Sequence, residues 1–241
     1  MKAILCGANG AMGKLIANIL GDEIVGKVSL DGDNNVPKTF AELGLMECDV
    51  LIDFSHHSAT ADVLDYAKKV GCAVVIGTTG HTNEEKALIS ETARLIPVFF
   101  AGNVSLGIAV LCRLVKQAAA FFPDADIEIV ETHHTRKVDA PSGTALMLFN
   151  AIKEVRPQAW PNCGRDGEGK RTPEEIGIHA LRLGNVVGIH EVHIHTPNQS
   201  LTLKHESGSR AMLAEGAVSA ARFMLGKGRG LYDMESLLNE K

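Results

Sequence analysis

The sequence has no apolar stretch near the roughly 20 residues that a membrane-spanning helix requires. Its N-terminus, Met1-Lys2-Ala3-Ile4-Leu5, runs into a turn at Gly7 and leaves no room for a signal-peptide hydrophobic region. It lacks a strong charge of either sign: 24 Lys and Arg against 29 Asp and Glu give a net charge of −5, with the two signs interspersed. That pattern provides no electrostatic footprint for nucleic acid or an anionic membrane, so a small molecule is the expected partner. The five cysteines, Cys6, Cys48, Cys72, Cys112 and Cys163, are odd in number and contain no C-x-x-C pair, which argues against zinc and dithiol redox motifs. They read as reduced thiols, and the expected location is the cytoplasm. No internal repeat or low-complexity segment is present. The 45% hydrophobic content is enough to build a core without a metal or disulfide staple.

The first hundred or so residues alternate short apolar runs with amphipathic stretches, the pattern of a parallel sheet wrapped by helices. Strands are expected at residues 2–6, 24–30, 49–53, 73–76 and 97–100, with a capping box at Thr82-Asn83-Glu84-Glu85 opening one of the helices between them. After Val104 the pattern changes to a long apolar helix at 106–122, a strand at 127–133, and a Gly/Pro-containing loop that opens a helix near Thr144. Residues 156–177 are polar and rich in Gly and Pro, and read as a mobile surface loop or lid whose local order is a capped helical turn at 172–175. Strands follow at 178–183, 186–196 and 200–206, then an Ala-rich helix at 211–225 and a short tail that returns to the first domain. The expected class is α/β: a parallel-sheet domain of residues 1–104 and 211–241, plus an α+β domain of residues 105–210 with a mixed or antiparallel sheet.

Directly after the first strand stands Gly7-Ala8-Asn9-Gly10-Ala11-Met12-Gly13-Lys14, with a glycine at every third position leading into a helix. A dinucleotide pyrophosphate needs backbone N–H groups at a helix N-terminus, and glycines let that backbone approach closely. A structural Gly-rich turn is the competing reading. Asp31 follows the second strand, where an acid can bind ribose hydroxyls. Asp31 and nearby Asp33 favour NADH, whereas Lys14 or Lys27 would accommodate NADPH; both acids also suit an ordinary turn. Gly77-Thr78-Thr79-Gly80 and Ala101-Gly102-Asn103-Val104 follow the fourth and fifth strands, where a doubly wound sheet opens its ligand crevice.

The densest chemistry lies in the segment from Glu131 to Ala145. His133, His134, Arg136 and Lys137 place four potentially cationic groups within five residues. Ser142-Gly143-Thr144 then offers N–H groups and hydroxyls at a helix N-terminus, a cradle for a carboxylate or phosphate. Adjacent histidines on a strand point to opposite faces, so His133 and His134 cannot both be core residues without cost. A histidine can deliver a proton near neutral pH, as can a lysine of depressed pKa. His190, His193 and His195 raise the alternative of a metal, but no third ligand of clear spacing stands beside the His-x-His pair, and no metal is expected.

At this segment the chain resembles the 4-hydroxy-tetrahydrodipicolinate reductase family, formerly called dihydrodipicolinate reductases. Glu131, His133-His134, Lys137 and Asp139-Ala140-Pro141-Ser142-Gly143-Thr144 match its E-x-H-H-x-x-K-x-D-A-P-S-G-T signature. Asp53-Phe54-Ser55, Gly77-Thr78-Thr79-Gly80, Asn103-Val104-Ser105-Leu106-Gly107 and the run from Gly177-Ile178-His179 through Arg182, Gly184, Gly188 and His190 occur in family order. The resemblance implies a Rossmann-like nucleotide domain, a substrate domain, and a homotetramer assembled through the latter's sheet. It also implies NADH- or NADPH-dependent reduction of a cyclic dicarboxylate in lysine and diaminopimelate biosynthesis. His133 is then similar to the general acid/base and Lys137 to a second proton donor; His134, Ser142, Gly143 and Thr144 are similar to substrate ligands, and Arg210, at the domain return, is a candidate for carboxylate or hinge contact. Two departures concern the cofactor: Val104 stands where many members carry Phe or Met beside the nicotinamide, and Ala11 where many carry Arg near the phosphates.

Other readings remain open at this level. A different nicotinamide-linked dehydrogenase would normally place a catalytic cysteine or a differently spaced lysine in the second domain. A non-catalytic dinucleotide-sensing module would account for Gly7 to Lys14 but not for the histidine–lysine cluster.

Overall fold

Strands buried on both faces read as near-continuous apolar runs, and four short runs in the N-terminal region do so without alternation, one of them closing on the buried Asp53. In the computed structural model, which describes residues 1–31 and 35–240, they become β1 (Ala3–Cys6), β3 (Val50–Asp53), β4 (Ala73–Ile76) and β5 (Pro97–Phe100), with β2 (Ile24–Val28) beside β1. Asp33 lies outside the described residues. The order β11-β5-β4-β3-β1-β2 is parallel throughout, and β11 (Gly230–Tyr232) is supplied by the C-terminal tail.

The intervening helices are α1 (Ala11–Leu20), α2 (Phe40–Leu43), α3 (Thr60–Val70) and α4 (Asn83–Thr92). The capping box on α4 forms: Thr82 Oγ1 accepts from Glu85 N at 3.2 Å, and Thr82 N donates to Glu85 Oε2 at 2.7 Å. Helix α1 turns Gly13, Ile16 and Leu20 inward and presents Lys14 and the rest of its polar face to solvent.

The chain divides into two compact units, Met1–Leu106 with Ala211–Lys241, and Gly107–Arg210. The first also holds α7 (Ala211–Phe223) and α8 (Met234–Asn239). Gly216 on α7 permits a close approach, since a Cβ there would lie 1.9 Å from the Val104 carbonyl oxygen.

In the second unit, α5 (Leu106–Phe121) and α6 (Gly143–Lys153) accompany β6 (Asp126–His133), β7 (Trp160–Cys163), β8 (Glu175–Arg182), β9 (Ile189–Thr196) and β10 (Gln199–Glu206). The sheet order is β10-β9-β6-β8-β7, with β6–β8 and β7–β8 parallel and β6–β9 and β9–β10 antiparallel, so the sheet is mixed. Strict alternation puts Ile127, Ile129, Ile176, Ile178, Val192 and Ile194 on one face, where Leu111 and Val115 of α5 and Leu148 of α6 cover them. Each such side chain contributes about 1.5–3 kcal/mol of burial.

The expectation of a mobile loop at 156–177 is corrected. Trp160–Cys163 forms an edge strand, and Glu175 already belongs to β8. Arg156 donates to the carbonyls of Ala119, Phe122 and Ala125, tying one end to the close of α5 and the turn before β6, and Arg171 donates to those of Ile127 and Glu175, tying the other to the sheet. The expected helical turn at 172–175 is a single turn closed by Glu175 N to Thr172 O at 3.2 Å, leading directly into the strand.

Candidate active site

In the first unit, β1 lies between β2 and β3, so successive crossovers leave it in opposite directions. At that switch point a parallel sheet opens a crevice beyond its carboxyl ends. Gly7 (φ 80°) begins the turn there, and its N–H donates to Val28 O at 2.8 Å. A Cβ at Gly7 would lie 2.3 Å from Phe54 O, and one at Gly13 would lie 2.2 Å from Gly7 O. The loop therefore requires glycine at both places.

Gly10 is the N-cap of α1 and supplies no side-chain cap, so the first-turn N–H groups are left for an anion. Ala8 is buried, Asn9 is half-buried, and Gly10 and Ala11 are exposed. Asp31 lies exposed just past β2, at the same end of the sheet as Gly7. These features fit a dinucleotide.

Beside the loop is a cleft of about 330 Å³ lined by Met12, Gly77, Thr78, Thr79, Gly102, Asn103 and Val104 from the expected set, with Phe54, Ser55 and Leu213 in addition. Ala101, half-buried, does not line it. Thr78 is buried and its hydroxyl is committed internally: it donates to Asp53 Oδ2 at 2.7 Å and accepts from Ser55 N at 3.0 Å. Asp53 also accepts from Ser55 Oγ at 2.5 Å. Burial raises the Asp53 carboxyl despite the Ser55 and Thr78 bonds. The pair is a brace for the loop, and Thr79 is the member of this turn that faces outward.

In the second unit β6 delivers Glu131 and His133 to the same face, two residues apart. His133 Nδ1 lies 2.6 Å from Glu131 Oε2. Glu131, fully buried, also accepts from Arg182 Nη1 at 2.9 Å, Arg182 Nη2 at 3.0 Å and Ser142 N at 3.1 Å. Burial alone would raise its carboxyl, but the bonds from Arg182 and His133 prevail and hold it below the usual range. His134 stands just past the strand end and is half-buried, so the alternation expected of two strand residues applies only to His133. Burial, with Arg136 and Arg210 next, lowers the His134 pKa.

Lys137 Nζ is held by both oxygens of Asp139, at 2.8 and 2.9 Å. That bond is the leading reason the Asp139 carboxyl is held below its ordinary range. Ser142 is the N-cap of α6: its Oγ accepts from Ala145 N and lies 3.2 Å from His190 Nε2. Both of its polar groups are engaged within the protein, whereas Gly143 faces open space. Thr144 is half-buried on the first turn of α6, and Arg210 is exposed at the end of the unit. His193 and His195 bond Thr202 Oγ1 (3.1 Å) and Ser200 Oγ (2.7 Å) across the β9–β10 pair. Among the described residues no group of three or more His, Cys, Asp or Glu is placed to hold a metal.

Residues 1–104 match the family model for the dihydrodipicolinate reductase N-terminus, and residues 107–238 match that for its C-terminus. The chain belongs to the dihydrodipicolinate reductase family. A 4-hydroxy-tetrahydrodipicolinate reductase of Caldanaerobacter subterraneus subsp. tengcongensis is 42% identical, with 100% of this chain aligned to 99% of that protein. One from Clostridium tetani is 40% identical over 99% of this chain and 97% of its own length. Among solved structures, a dipicolinate-bound dihydrodipicolinate reductase from Paenisporosarcina sp. TG-14 superposes with a TM-score of 0.78, at 23% identity, covering 96% of each chain. That likeness establishes the fold.

Within the dihydrodipicolinate reductase frame, sequence reasoning assigned no role to Phe54, Ser55 or Leu213, nor to Glu131 or Arg182, and weighed His190 only as a metal ligand. The position of Phe54-Ser55 after β3 was a usable signal for the first group. The second group is assembled by sheet pairing: Arg182 is the β8 partner of His133, and His190 the β9 partner of Glu131. No local spacing reports such pairs.

Proposed function

We propose that this chain is a 4-hydroxy-tetrahydrodipicolinate reductase, acting in lysine and diaminopimelate biosynthesis. The observation that carries this reading is the end-to-end match to relatives named for that activity. The substrate is a cyclic imine dicarboxylate formed by loss of water from the hydroxylated precursor. NADH or NADPH, bound at Gly7, Ala8, Asn9, Gly10, Ala11, Met12 and Gly13, supplies the hydride. Asp31 favours a ribose with a free 2′-hydroxyl, and the turns containing Gly77, Thr79, Gly102, Asn103 and Val104 flank the nicotinamide half; Thr78 and Ala101 act by shaping those turns.

Hydride adds to carbon, so the protein must deliver a proton. His133 does so, and Lys137 is the second donor once it exchanges Asp139 for a substrate carboxylate. His134, Gly143, Thr144 and Arg210 hold the carboxylates, while Ser142 frames the α6 N-terminus from within. The support is chemical: the α6 N-terminus at Gly143 follows closely on His133, His134, Arg136 and Lys137, groups suited to a dianion.

We further read the protein as a cytoplasmic homotetramer. All five cysteines are free thiols, in keeping with a reducing compartment. The sheet face opposite α5 and α6, carrying Glu128, His179, Glu191 and His193, is the surface assigned to self-association.

The test is oxidation of NADH and, separately, of NADPH while substrate is generated in place from pyruvate and aspartate semialdehyde. Rapid oxidation is expected, and the ratio of the two rates gives the cofactor preference. Folded protein that binds both nucleotides and oxidises neither would overturn the assignment in favour of a sensing module.

A further inference from the structure

The carboxylate of Glu131 is an acceptor surrounded by donors. Ser142 N–H and Arg182 Nη2 converge on Oε1, at 3.1 and 3.0 Å, and Arg182 Nη1 and His133 Nδ1 converge on Oε2, at 2.9 and 2.6 Å. An ionised carboxylate has no proton to give, so His133 Nδ1 must carry the hydrogen in this bond. Its other nitrogen, Nε2, has no hydrogen-bond partner among the described residues and is the one that Gly188 leaves room for: a Cβ there would lie 3.1 Å away. On the neighbouring strand, His190 Nε2 lies 3.2 Å from the Ser142 hydroxyl, which also accepts from Ala145 N. Burial disfavours a charge on His190, whose ring stands edge-on to His133 at 5.1 Å and so adds no second cation beside it.

Resting on the reading of His133 as the proton donor, we propose that Glu131 is a positioning residue that fixes the His133 proton on Nδ1 so that Nε2 delivers, with Arg182 as the half-buried counter-ion that holds Glu131 in place. The step balances simply. The protonated ring releases its Nε2 proton to the carbanionic product of hydride addition, and it is left as the neutral Nδ1–H form that Glu131 was already binding. The bond to Glu131 persists throughout, so no reorganisation accompanies the transfer. Arg182 serves a second purpose, donating from Nη2 to Asp139 O at 2.6 Å and thus tying the segment after Lys137 to the same carboxylate.

Glu131→Gln tests this without changing shape. Two obligate donors, Ser142 N–H and Arg182 Nη2, claim the Oε1 position against one, Arg182 Nη1, at Oε2, so the amide oxygen settles at Oε1 and the NH2 group faces Arg182 Nη1 and His133 Nδ1. The neutral ring must then carry its proton on Nε2, and release from Nε2 would leave two donors opposed. The expected result is a fall in kcat of about 100-fold with KM within about 3-fold. The solvent isotope effect should rise and the effect of deuterated nicotinamide should shrink. A merely structural role would lower the active fraction and leave both isotope effects as they were.

The second measurement needs no variant to fold and no turnover: ring-nitrogen NMR of the full-length wild-type chain with isotope-labelled histidine, the His133 signals assigned by their loss in His133→Gln. In its neutral form the ring is expected to carry its proton on Nδ1. A neutral ring protonated on Nε2, or an unaltered kcat in folded Glu131→Gln, would overturn the proposal. Failure of the wild-type enzyme to oxidise either nucleotide would instead strike the reductase reading, and the NMR result would still decide the role of Glu131.

Discussion

At the scale of single residues, Lys137 separates chemistry from stability. Its pairing with Asp139 is half in solvent, the Asp139 side chain being 62% exposed, and such pairs contribute at most about 1 kcal/mol. Lys137→Ala should therefore unfold within about 1 kcal/mol of wild type by urea titration. Its kcat should fall by roughly 10²–10⁴-fold with nucleotide affinity unchanged. Loss of nucleotide binding in this variant would contradict its assignment to the proton-transfer group. The candidate site residues that lie together in the chain, from His133 to Thr144, stand out in the sequence because a strand end, a turn and a helix start crowd cations and N–H groups into one stretch. Glu131 was part of the same motif, yet its role was not legible. Its key partner Arg182 lies 51 residues away and meets it only through the β6–β8 pairing.

At the scale of elements, the entry into α1 is the strictest. A methyl group at residue 13 would lie 2.2 Å from Gly7 O and 2.7 Å from the backbone of Ala8, so the turn cannot hold its shape around it. Gly13→Ala should raise the dissociation constant for reduced nicotinamide nucleotide by at least about 10-fold, measured by calorimetric titration, a loss of about 1.4 kcal/mol or more. Binding at wild-type strength would show that the loop is not the pyrophosphate site. The start of α6 is held differently, by a side chain. Ser142→Ala removes the cap on Ala145 N and should cost about 1 kcal/mol of stability by denaturant titration. An unchanged midpoint would mean that the cap contributes nothing. The central strands were legible because runs such as Val74-Val75-Ile76 have no polar residue to break them. The edge strand Trp160-Pro161-Asn162-Cys163 was not: it contains a proline and no alternation, and its strand state depends on pairing with β8. The three-residue β11 was legible only as a tail returning to the first domain, since so short a run carries no periodicity.

At the scale of the whole chain, the buried polar network makes stability depend on pH in a definite direction. Burial, with His133 next, pulls the His190 pKa from its ordinary 6.5 down to about 4. Between those two values the unfolded chain binds a proton at this position and the folded one does not, so stability is complete above about pH 6.5 and falls as the pH drops toward about 4. The loss from this residue is on the order of 3 kcal/mol. His134 and His205, also lowered chiefly by burial, act in the same sense, and Glu131 adds to the loss at still lower pH because its folded carboxyl is held below the ordinary range. The unit Gly107–Arg210 should therefore be the first to open on acidification. Hydrogen exchange at the β6 and β9 amides, followed from about pH 7 to about pH 4.5, should show their protection falling before that of β1, β3 and β4. His190→Gln has no proton to gain and can still accept from Ser142 Oγ, so it should be less stable than wild type at neutral pH through poorer packing but lose less on acidification. If its stability instead falls as steeply as that of wild type, the proton uptake that destabilises the second unit is not at His190, and the neutral ring beside His133 is not what the low pH disrupts.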